Sequence, residues 1–328
     1  MCFHFLKHPI HNIFLYTVSP KKITMKQKEA FEILKLGHNV LLTGFAGSGK
    51  SYLLEEFANW ARENNKNVVM TATTGIAATN INGKTIHNYS NLGVRERIDL
   101  ENTEKVISLA NNMREPYKKS IINTDILVID EISMLHDYQL SAVDKIIRII
   151  RNNDSPFGGI QVILSGDFFQ LPPIARDNGQ TNFITQSDSY MYGNFKVCYL
   201  EEYWRQNESD PLGLILNAIR SSKLNGEHYT LLRQRAGAII SKQNITKLCC
   251  TNKEADVENK QKLDEIILDS KSFNWIESGD EKELYELKKD CSNKVVEILD
   301  LKIGAQVIFV KNNIRIGYYN GTTGEIID

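Results

Sequence analysis

Apolar segments of strand length alternate with amphipathic segments of helical length between His38 and Leu200. The strand-like segments are HNVLLTG, KNVVMTA, TDILVIDE, GGIQVILSGD and KVCYL, and the clearest helical ones are GKSYLLEEFANWAREN and YQLSAVDKIIRIIRNN. Strands that are apolar throughout are buried on both faces, which is typical of a parallel sheet with helices on both sides. The alternation therefore predicts an α/β fold built on a parallel sheet.

Length and charge set broad bounds on the kind of protein. The chain has 328 residues, which suggests about two domains of roughly 150 residues each. Its 39 lysines and arginines nearly balance its 40 aspartates and glutamates, and the formal net charge is −1. This balance excludes a protein-wide basic field but not a local basic groove. No apolar run approaches the ~18 residues of a membrane span, so no membrane partner is expected.

The cysteines indicate the redox compartment. None of the five has metal-ligand spacing, and they are Cys2, Cys198, Cys249, Cys250 and Cys291. The adjacent pair in ITKLCCTN has the pattern of a strand core, so buried, reduced thiols are the interpretation. Reduced thiols favour an intracellular protein, with cytoplasm, nucleus and mitochondrion left open.

Residues 1–24 differ from the rest of the chain. They are aromatic and basic, and no acidic residue precedes Glu29. A transit peptide is one interpretation, although this segment has no arginine and a single serine. A start of translation at Met25 is the other, and the segment is treated as a leader of open purpose.

The segment GFAGSGKS fits the pattern G-x-x-x-x-G-K-[ST] between a predicted strand and a predicted helix. Backbone N–H groups of such a loop, together with the positive end of the helix dipole, bind phosphates. Lys50 is expected to reach the β- and γ-phosphates, and Ser51 to ligate Mg²⁺. The predicted contacts of a nucleoside triphosphate are Gly44, Gly47, Ser48, Gly49, Lys50 and Ser51.

Two carboxylates end the apolar strand in ILVIDEIS. Asp130 and Glu131 fall at its carboxyl end, where open α/β sheets bind ligands. One carboxylate can hold the metal ion and its neighbour can polarise an attacking water. Two solvated residues at a strand end are the alternative.

The segment SGDFFQLPP places Gln170 on a stiff turn directly after another buried strand. Each proline fixes φ and removes a donor, so Pro172 and Pro173 stop any regular continuation. A glutamine has both donor and acceptor atoms, so Gln170 can detect whether the γ-phosphate is present. A loop glutamine that caps a turn is the alternative.

These segments together resemble a known family. GFAGSGKS, TATTGIAATNINGKTIH, LVIDEISML, PFGGIQVILSGDFFQLPP and LEEYWRQ follow one another as in Pif (petite integration frequency) type DNA helicases of superfamily 1B. The bridge MLHDYQLSAVDKIIRIIRNNDSPFGGIQ resembles that family's own signature, which the related RecD-type helicases lack. The resemblance covers about Ile23 to Asp328.

The resemblance implies a P-loop NTPase with two RecA-like domains, which binds ATP and Mg²⁺ in the cleft between them. It implies 5′ to 3′ movement on single-stranded DNA and unwinding of forked duplexes, by a chain expected to be monomeric. Gln27 matches the glutamine that reads adenine, although its position alone would make it an exposed helix residue. Arg205 in YWRQ matches the arginine finger that neutralises charge in phosphoryl transfer, with a surface ion pair as the alternative.

DNA contacts are expected from TATTGIAATNINGKTIHNY. Thr73 and Thr74 end a predicted strand just before a helix near Gly75, where hydroxyls and free N–H groups can bind a phosphate. Thr85 and His87 belong to a second patch that resembles another DNA-contacting motif, although His87 is also consistent with a structural histidine. The interval 91–123 matches the family's small wedge insertion, in which single basic residues carry little weight.

The expected domains are a leader at 1–24, a first RecA-like domain at 25–200, part of a second one at 201–299, and the start of an SH3-like insertion at 300–328. The T-x-H-x-x-Q-G-type motif and the final arginine motif of the family do not occur in the sequence. Two functions therefore stay open, an ATP-dependent 5′–3′ helicase and a nucleotide-gated DNA-binding module. The 328-residue chain is expected to bind ATP–Mg²⁺ and DNA weakly without unwinding a duplex.

Overall fold

The computed structural model describes ten stretches of the chain, namely residues 25–93, 97–174, 181–201, 210–236, 247–274, 276, 297–309, 313, 316–318 and 322–328. The predicted leader at 1–24 and Arg205 lie outside these residues. Contacts group the chain into two compact units, 1–236 and 237–328. The expected boundary at 200–201 stays a prediction.

The first unit is built on a six-stranded sheet, which confirms the predicted α/β fold. Its strands are β1 Val40–Gly44, β2 Val68–Ala72, β3 Lys84–Thr85, β4 Ile126–Asp130, β5 Gln161–Gly166 and β6 Lys196–Leu200. All neighbours pair in parallel, in the order β3-β2-β4-β5-β1-β6. The carboxyl ends of β1, β4 and β5 therefore lie side by side at one edge of the sheet.

Helices follow most strands at the predicted places. They are α1 Gln27–Lys35, α2 Lys50–Glu63, α3 Gly75–Asn80, α4 Ile86–Tyr89, α5 Arg97–Glu101, α6 Thr103–Asn111, α7 Glu115–Ile122, α8 Asp137–Arg151, α9 Asp188–Tyr192, α10 Pro211–Arg220 and α11 Gly226–Arg235. Short 3₁₀ turns lie at Ile132–Met134, Pro156–Gly159 and Ile184–Gln186. The long amphipathic segments of the sequence thus became α2 and α8.

Two hydrophobic clusters cover the two faces of the sheet. Alternate residues of the central strands divide between them: Leu127 and Leu164 pack with α8, whereas Val128 and Ile163 pack with α1 and α2. Each buried aliphatic side chain contributes about 1.5–3 kcal/mol relative to an exposed one. The continuously apolar strand pattern reflects this burial on both faces.

The interval 91–123, expected to be a wedge insertion, contributes α5, α6 and α7. Buried side chains of these helices and of the α6–α7 connection join the cluster around α8, namely Leu100, Val106, Ala110, Met113 and Ile121. Arg97 forms an ion pair with Glu101 at 2.6 Å. The described part of this interval therefore packs into the core of the first unit.

A buried aspartate on α8 fixes the turn that leads into β5. The Asp144 carboxylate accepts hydrogen bonds from the Phe157 backbone N–H at 2.6 Å and from the Ser189 hydroxyl at 2.7 Å. It also pairs with Arg148 at 2.8 Å. Because a buried charge is costly unless it is paired and hydrogen-bonded, these contacts hold the PFGG turn, and hence the start of β5, against α8.

The second unit contains α12 Asn252–Asp264 and two strand pairs. β7 Lys271–Asn274 pairs with β8 Ile298–Leu301, and β9 Gln306–Ile308 pairs with β10 Thr323–Glu325, both antiparallel. α12 lies within the polar segment TNKEADVENKQKLDEI. No helix among the described residues has the length and apolar character to cross a membrane.

The prediction for Cys249 and Cys250 was wrong. These residues lie outside any strand, and Cys250 is exposed. The reason is local, because the segment leads into α12: the Cys250 N–H donates to the Glu254 carboxylate and the Thr251 hydroxyl accepts from the Glu254 N–H. Cys198, in contrast, is a buried free thiol in β6.

Candidate functional site

The predicted phosphate loop connects β1 to α2. A side chain at Gly44 would place its Cβ 2.5 Å from the Leu200 carbonyl oxygen, so only glycine fits there. Gly49 precedes the first helical residue at φ +81°, a left-handed conformation that glycine adopts without strain. The Ser48 hydroxyl is fully buried and has no hydrogen-bond partner among the described residues. The loop thus has the tight backbone path of a phosphate cradle and an unsatisfied polar atom inside it.

The Lys50 ammonium group lies over this loop. It donates to the backbone carbonyls of Gly44 at 3.0 Å and Phe45 at 2.9 Å. Burial lowers the pKa of Lys50, while the charges of Asp167, Asp130 and Glu131 oppose that shift. The charges of the three carboxylates thus favour the protonated form of Lys50, whereas its burial disfavours that form more strongly.

Asp130 and Glu131 end β4 at the same edge. Asp130 is 5% exposed, and burial raises the pKa of its carboxyl although the Lys50 charge acts against this shift. Burial also raises the pKa of Glu131, and the Asp130 charge adds to that effect. A carboxyl with a raised pKa is a stronger base than an ordinary one.

The backbone of Glu131 is strained. Its φ of +55° lies in the left-handed region, where a residue with a Cβ costs about 1–2 kcal/mol. The Thr73 hydroxyl donates to the Glu131 carbonyl at 2.9 Å, and the Thr73 N–H donates to the Asp130 carbonyl at 3.2 Å. Hydrogen bonds from the residue that follows β2 thus stabilise the strained residue that follows β4.

The turn after β5 carries Gln170, whose side chain is exposed. Its N–H donates to the Asp167 carbonyl at 2.9 Å, and the Phe169 N–H donates to an oxygen of the Asp167 carboxylate at 3.1 Å. Asp167 itself is 2% exposed and forms a 2.7 Å ion pair with Arg220 at the end of α10.

Asp167 and Arg220 were not among the site residues predicted from the sequence. The signal for Asp167 was available, because it comes directly after a buried strand at the ligand edge of a parallel sheet. Arg220 carried no such signal, since a basic residue in the last turn of a helix is ordinary.

The Gln27 side chain is at the phosphate loop rather than free on a helix surface. Its amide nitrogen donates to the backbone carbonyls of Ser48 at 3.2 Å and Gly49 at 3.4 Å. This position beside the loop is compatible with the predicted contact to the base, which stays a prediction.

The predicted DNA contacts lie on neighbouring strand ends. Thr73 and Thr74 follow β2, and Thr85 ends β3, which pairs with β2. The hydroxyls of Thr74 and Thr85 accept from the backbone N–H groups of Ala77 and Asn88, each at 3.2 Å, so both cap short helices. His87 is partly buried, with its Nε2 3.2 Å from the Gln139 amide nitrogen. The structure thus brings these four residues into one region.

Oxygen groups for a metal ion are present, although no cluster of three acidic, histidine or cysteine side chains occurs in the described part of the chain. Asp130 is a buried carboxylate, and Ser51 is exposed in the first turn of α2. Mg²⁺ commonly binds one or two protein oxygens together with substrate phosphates and waters. The residues therefore fit a cation that arrives with a nucleotide.

Comparison with known proteins gives consistent matches. A family model described as PIF1-like helicase matches residues 22–221. The ATP-dependent DNA helicase Pif1 of a Psychrobacter species is 40% identical over 324 residues, which cover 92% of this chain and 46% of that protein. The Saccharomyces cerevisiae ATP-dependent DNA helicase RRM3 is 32% identical, over 94% of this chain and 43% of its own. The chain thus spans about half the length of these relatives.

Solved structures agree with the fold. The Pif1 helicase from Candida albicans superposes with a TM-score of 0.80 at 29% identity, over 95% of this chain and 69% of that chain. The Bacteroides Pif1 bound to single-stranded DNA superposes with a TM-score of 0.74 at 27% identity, over 94% and 70%. The six-stranded parallel sheet is therefore the RecA-like sheet of a P-loop protein, and the chain belongs to the PIF1-like helicase family.

Proposed function

We propose that this chain binds ATP with Mg²⁺ and hydrolyses it in support of 5′ to 3′ movement on single-stranded DNA, as the motor of a DNA helicase that opens forked duplexes. The observation that carries the proposal is the convergence of Lys50, Asp130 and Glu131 at the adjacent ends of β1, β4 and β5. The matched relatives are named ATP-dependent DNA helicases, and Bacteroides Pif1 structures contain ADP-AlF3 and single-stranded DNA.

The phosphate loop supplies the nucleotide contacts in this proposal. Lys50 exchanges its bonds to the Gly44 and Phe45 carbonyls for phosphate oxygens, and backbone N–H groups of Gly47, Ser48 and Gly49 surround the same phosphates. Gln27, which already contacts this loop, reads the adenine edge.

Ser51 and Asp130 would hold Mg²⁺, which supplies charge neutralisation to the phosphates when bound. The ionised form of Asp130 is disfavoured by burial, and a cation at its oxygens restores that form.

Glu131 is the proposed base for hydrolysis. It orients a water molecule and accepts its proton, a role favoured by a raised pKa. Gln170 senses the γ-phosphate from the turn after β5. Arg205 remains the proposed arginine finger, on the strength of its YWRQ motif alone.

Thr73, Thr74, Thr85 and His87 are the proposed DNA contacts. Their hydroxyl and imidazole groups suit phosphate and sugar atoms, which carry no base sequence. Support comes from the Thr73–Glu131 hydrogen bond, because it connects this region directly to the proposed catalytic strand.

The proposal is tested by measuring ATP turnover of the 328-residue chain with and without an oligothymidine strand. We expect turnover that needs Mg²⁺ and rises with DNA. Partial duplexes with a 5′ or a 3′ tail then test the expectation that the 328-residue chain does not unwind a duplex, and unwinding of the 3′-tailed substrate alone would contradict the proposed polarity. An ATP turnover rate that stays the same at every concentration of the oligothymidine strand would contradict the motor role.

A further inference from the structure

Arg220 occupies a buried position between the phosphate loop and the turn after β5. Its Nη1 donates to an Asp167 carboxylate oxygen at 2.7 Å, and the two side chains are 14% and 3% exposed. The guanidinium carbon lies 4.6 Å from the Phe45 ring centroid and 4.3 Å from the Phe169 ring centroid. One side chain therefore contacts the loop that follows β1 and the turn that carries Gln170.

The hydrogen bonds of Asp167 show what this contact controls. One carboxylate oxygen accepts from Arg220, while the other accepts from the Phe169 N–H, and the Asp167 carbonyl accepts from the Gln170 N–H. The orientation of Asp167 thus sets the backbone of residues 168–170. Arg220 fixes that orientation, because removal of one partner from a buried ion pair leaves an uncompensated charge.

The aromatic contacts make an arginine better suited here than a lysine. The planar guanidinium can face Phe45 and Phe169 while it donates in its own plane to Asp167, whereas an ammonium group offers only a point charge. Tyr199 of β6 and the Arg220 guanidinium also influence each other's pKa.

We propose that Arg220 is a positioning residue for ATP hydrolysis: through Asp167 it holds the turn that presents Gln170, and through Phe45 it ties that turn to the phosphate loop. The inference rests on the proposed function of the site. Because Arg220 is the last residue of α10, the position of α10 would determine whether the turn that carries Gln170 is ordered.

The first experiment uses the 328-residue chain with Arg220→Gln, Arg220→Lys and a control, Arg233→Gln, which removes an exposed arginine from α11. We expect Arg220→Gln to lower kcat by about tenfold or more, while affinity for a non-hydrolysable ATP analogue changes less than about threefold. Arg220→Lys should recover part of the loss, since it keeps charge without the planar group. The control should match the parent. An unchanged kcat with weakened analogue binding would instead make Arg220 a nucleotide contact and overturn the proposal.

A second readout does not depend on turnover. Amide hydrogen exchange at Phe169 and Gln170 reports the turn directly, because both N–H groups bond to Asp167. Arg220→Gln should accelerate exchange there by about tenfold or more, with β4 amides unaffected. If the parent shows no DNA-stimulated turnover, the proposed function fails and this exchange measurement still decides the role of Arg220. Parental exchange at both amides in the variant would overturn the inference.

Arg220→Gln can destabilise the protein by leaving Asp167 unpaired, so the neutral pair Asp167→Asn with Arg220→Gln serves as the folded comparison. The double variant removes both charges, keeps the size of the side chain at position 167 and shortens the one at position 220. We expect it to melt close to the parent while its kcat stays as low as that of the worse single variant. Parental kcat in the double variant would show that the pair is structural only.

Discussion

The Thr73 hydroxyl donates to the backbone carbonyl of Glu131 at 2.9 Å. Thr73 belongs to the proposed DNA-contacting segment after β2, and Glu131 is the proposed catalytic base at the end of β4. The bond also supports a backbone conformation that is unfavourable for glutamate. This hydrogen bond therefore connects the proposed DNA-contacting segment directly to the proposed catalytic base.

Thr73→Val should lower DNA-stimulated turnover by about fivefold, because the loss of one hydrogen bond costs about 1 kcal/mol. Thr73→Ser keeps the hydroxyl and should stay near the parental rate. Steady-state ATPase assays at saturating oligothymidine provide the measurement. Equal defects in the valine and serine variants would point to packing of the threonine methyl instead.

Lys50→Ala should reduce ATP turnover by about 10²-fold or more, the scale seen when a group that stabilises transition-state charge is removed. Folding should persist, because the hydrogen bonds that Lys50 makes to described residues go to loop carbonyls and its burial disfavours the charged form. Turnover and circular dichroism are compared with Lys66→Ala, an exposed lysine distant in sequence from the loop. Parental turnover in Lys50→Ala would remove the basis of the proposed ATP site.

Gln170→Ala should keep nucleotide affinity but weaken the dependence of turnover on single-stranded DNA. A hydrogen bond to a charged group contributes about 1.5–3 kcal/mol, so the stimulated rate should fall by about tenfold or more. Gln234→Ala on α11, also exposed, is the matched control. If basal and stimulated rates fall by one common factor, Gln170 takes part in hydrolysis and is not a sensor.

Glu131→Gln should abolish turnover yet raise the melting temperature of the nucleotide-free protein. Burial and the Asp130 charge raise the folded-state pKa of Glu131, so its ionised form costs free energy in the folded state. Below about pH 4 both states are protonated and the cost is absent. It grows as pH rises to the folded pKa and then stays constant.

The stabilisation by Glu131→Gln should therefore be largest near about pH 8 and shrink toward about pH 4. Calorimetry across this range measures it, with Glu63→Gln at the exposed end of α2 as the control. A melting temperature below the parental one at about pH 8 would contradict the assigned direction of the pKa shift.

The parallel sheet, the phosphate loop and the position of Asp130 and Glu131 could be predicted from the sequence. Each of these features depends on one contiguous segment. A continuous apolar run indicates a strand that is buried on both faces, and GFAGSGKS indicates a loop with special backbone angles. The last residues of a parallel strand lie at the edge of the sheet that binds ligands. Local periodicity and backbone restrictions therefore suffice for them.

The partners of individual side chains, in contrast, follow from the packing of distant segments. Arg220 pairs with Asp167 across 53 residues, the Gln27 amide contacts the phosphate loop 21 residues away, and Cys250 lies exposed where an apolar pattern indicated a strand. Such outcomes depend on how separate elements pack and on the pairing that a buried charge requires. They also depend on local capping hydrogen bonds that compete with strand formation. None of these is encoded in the periodicity of a single segment.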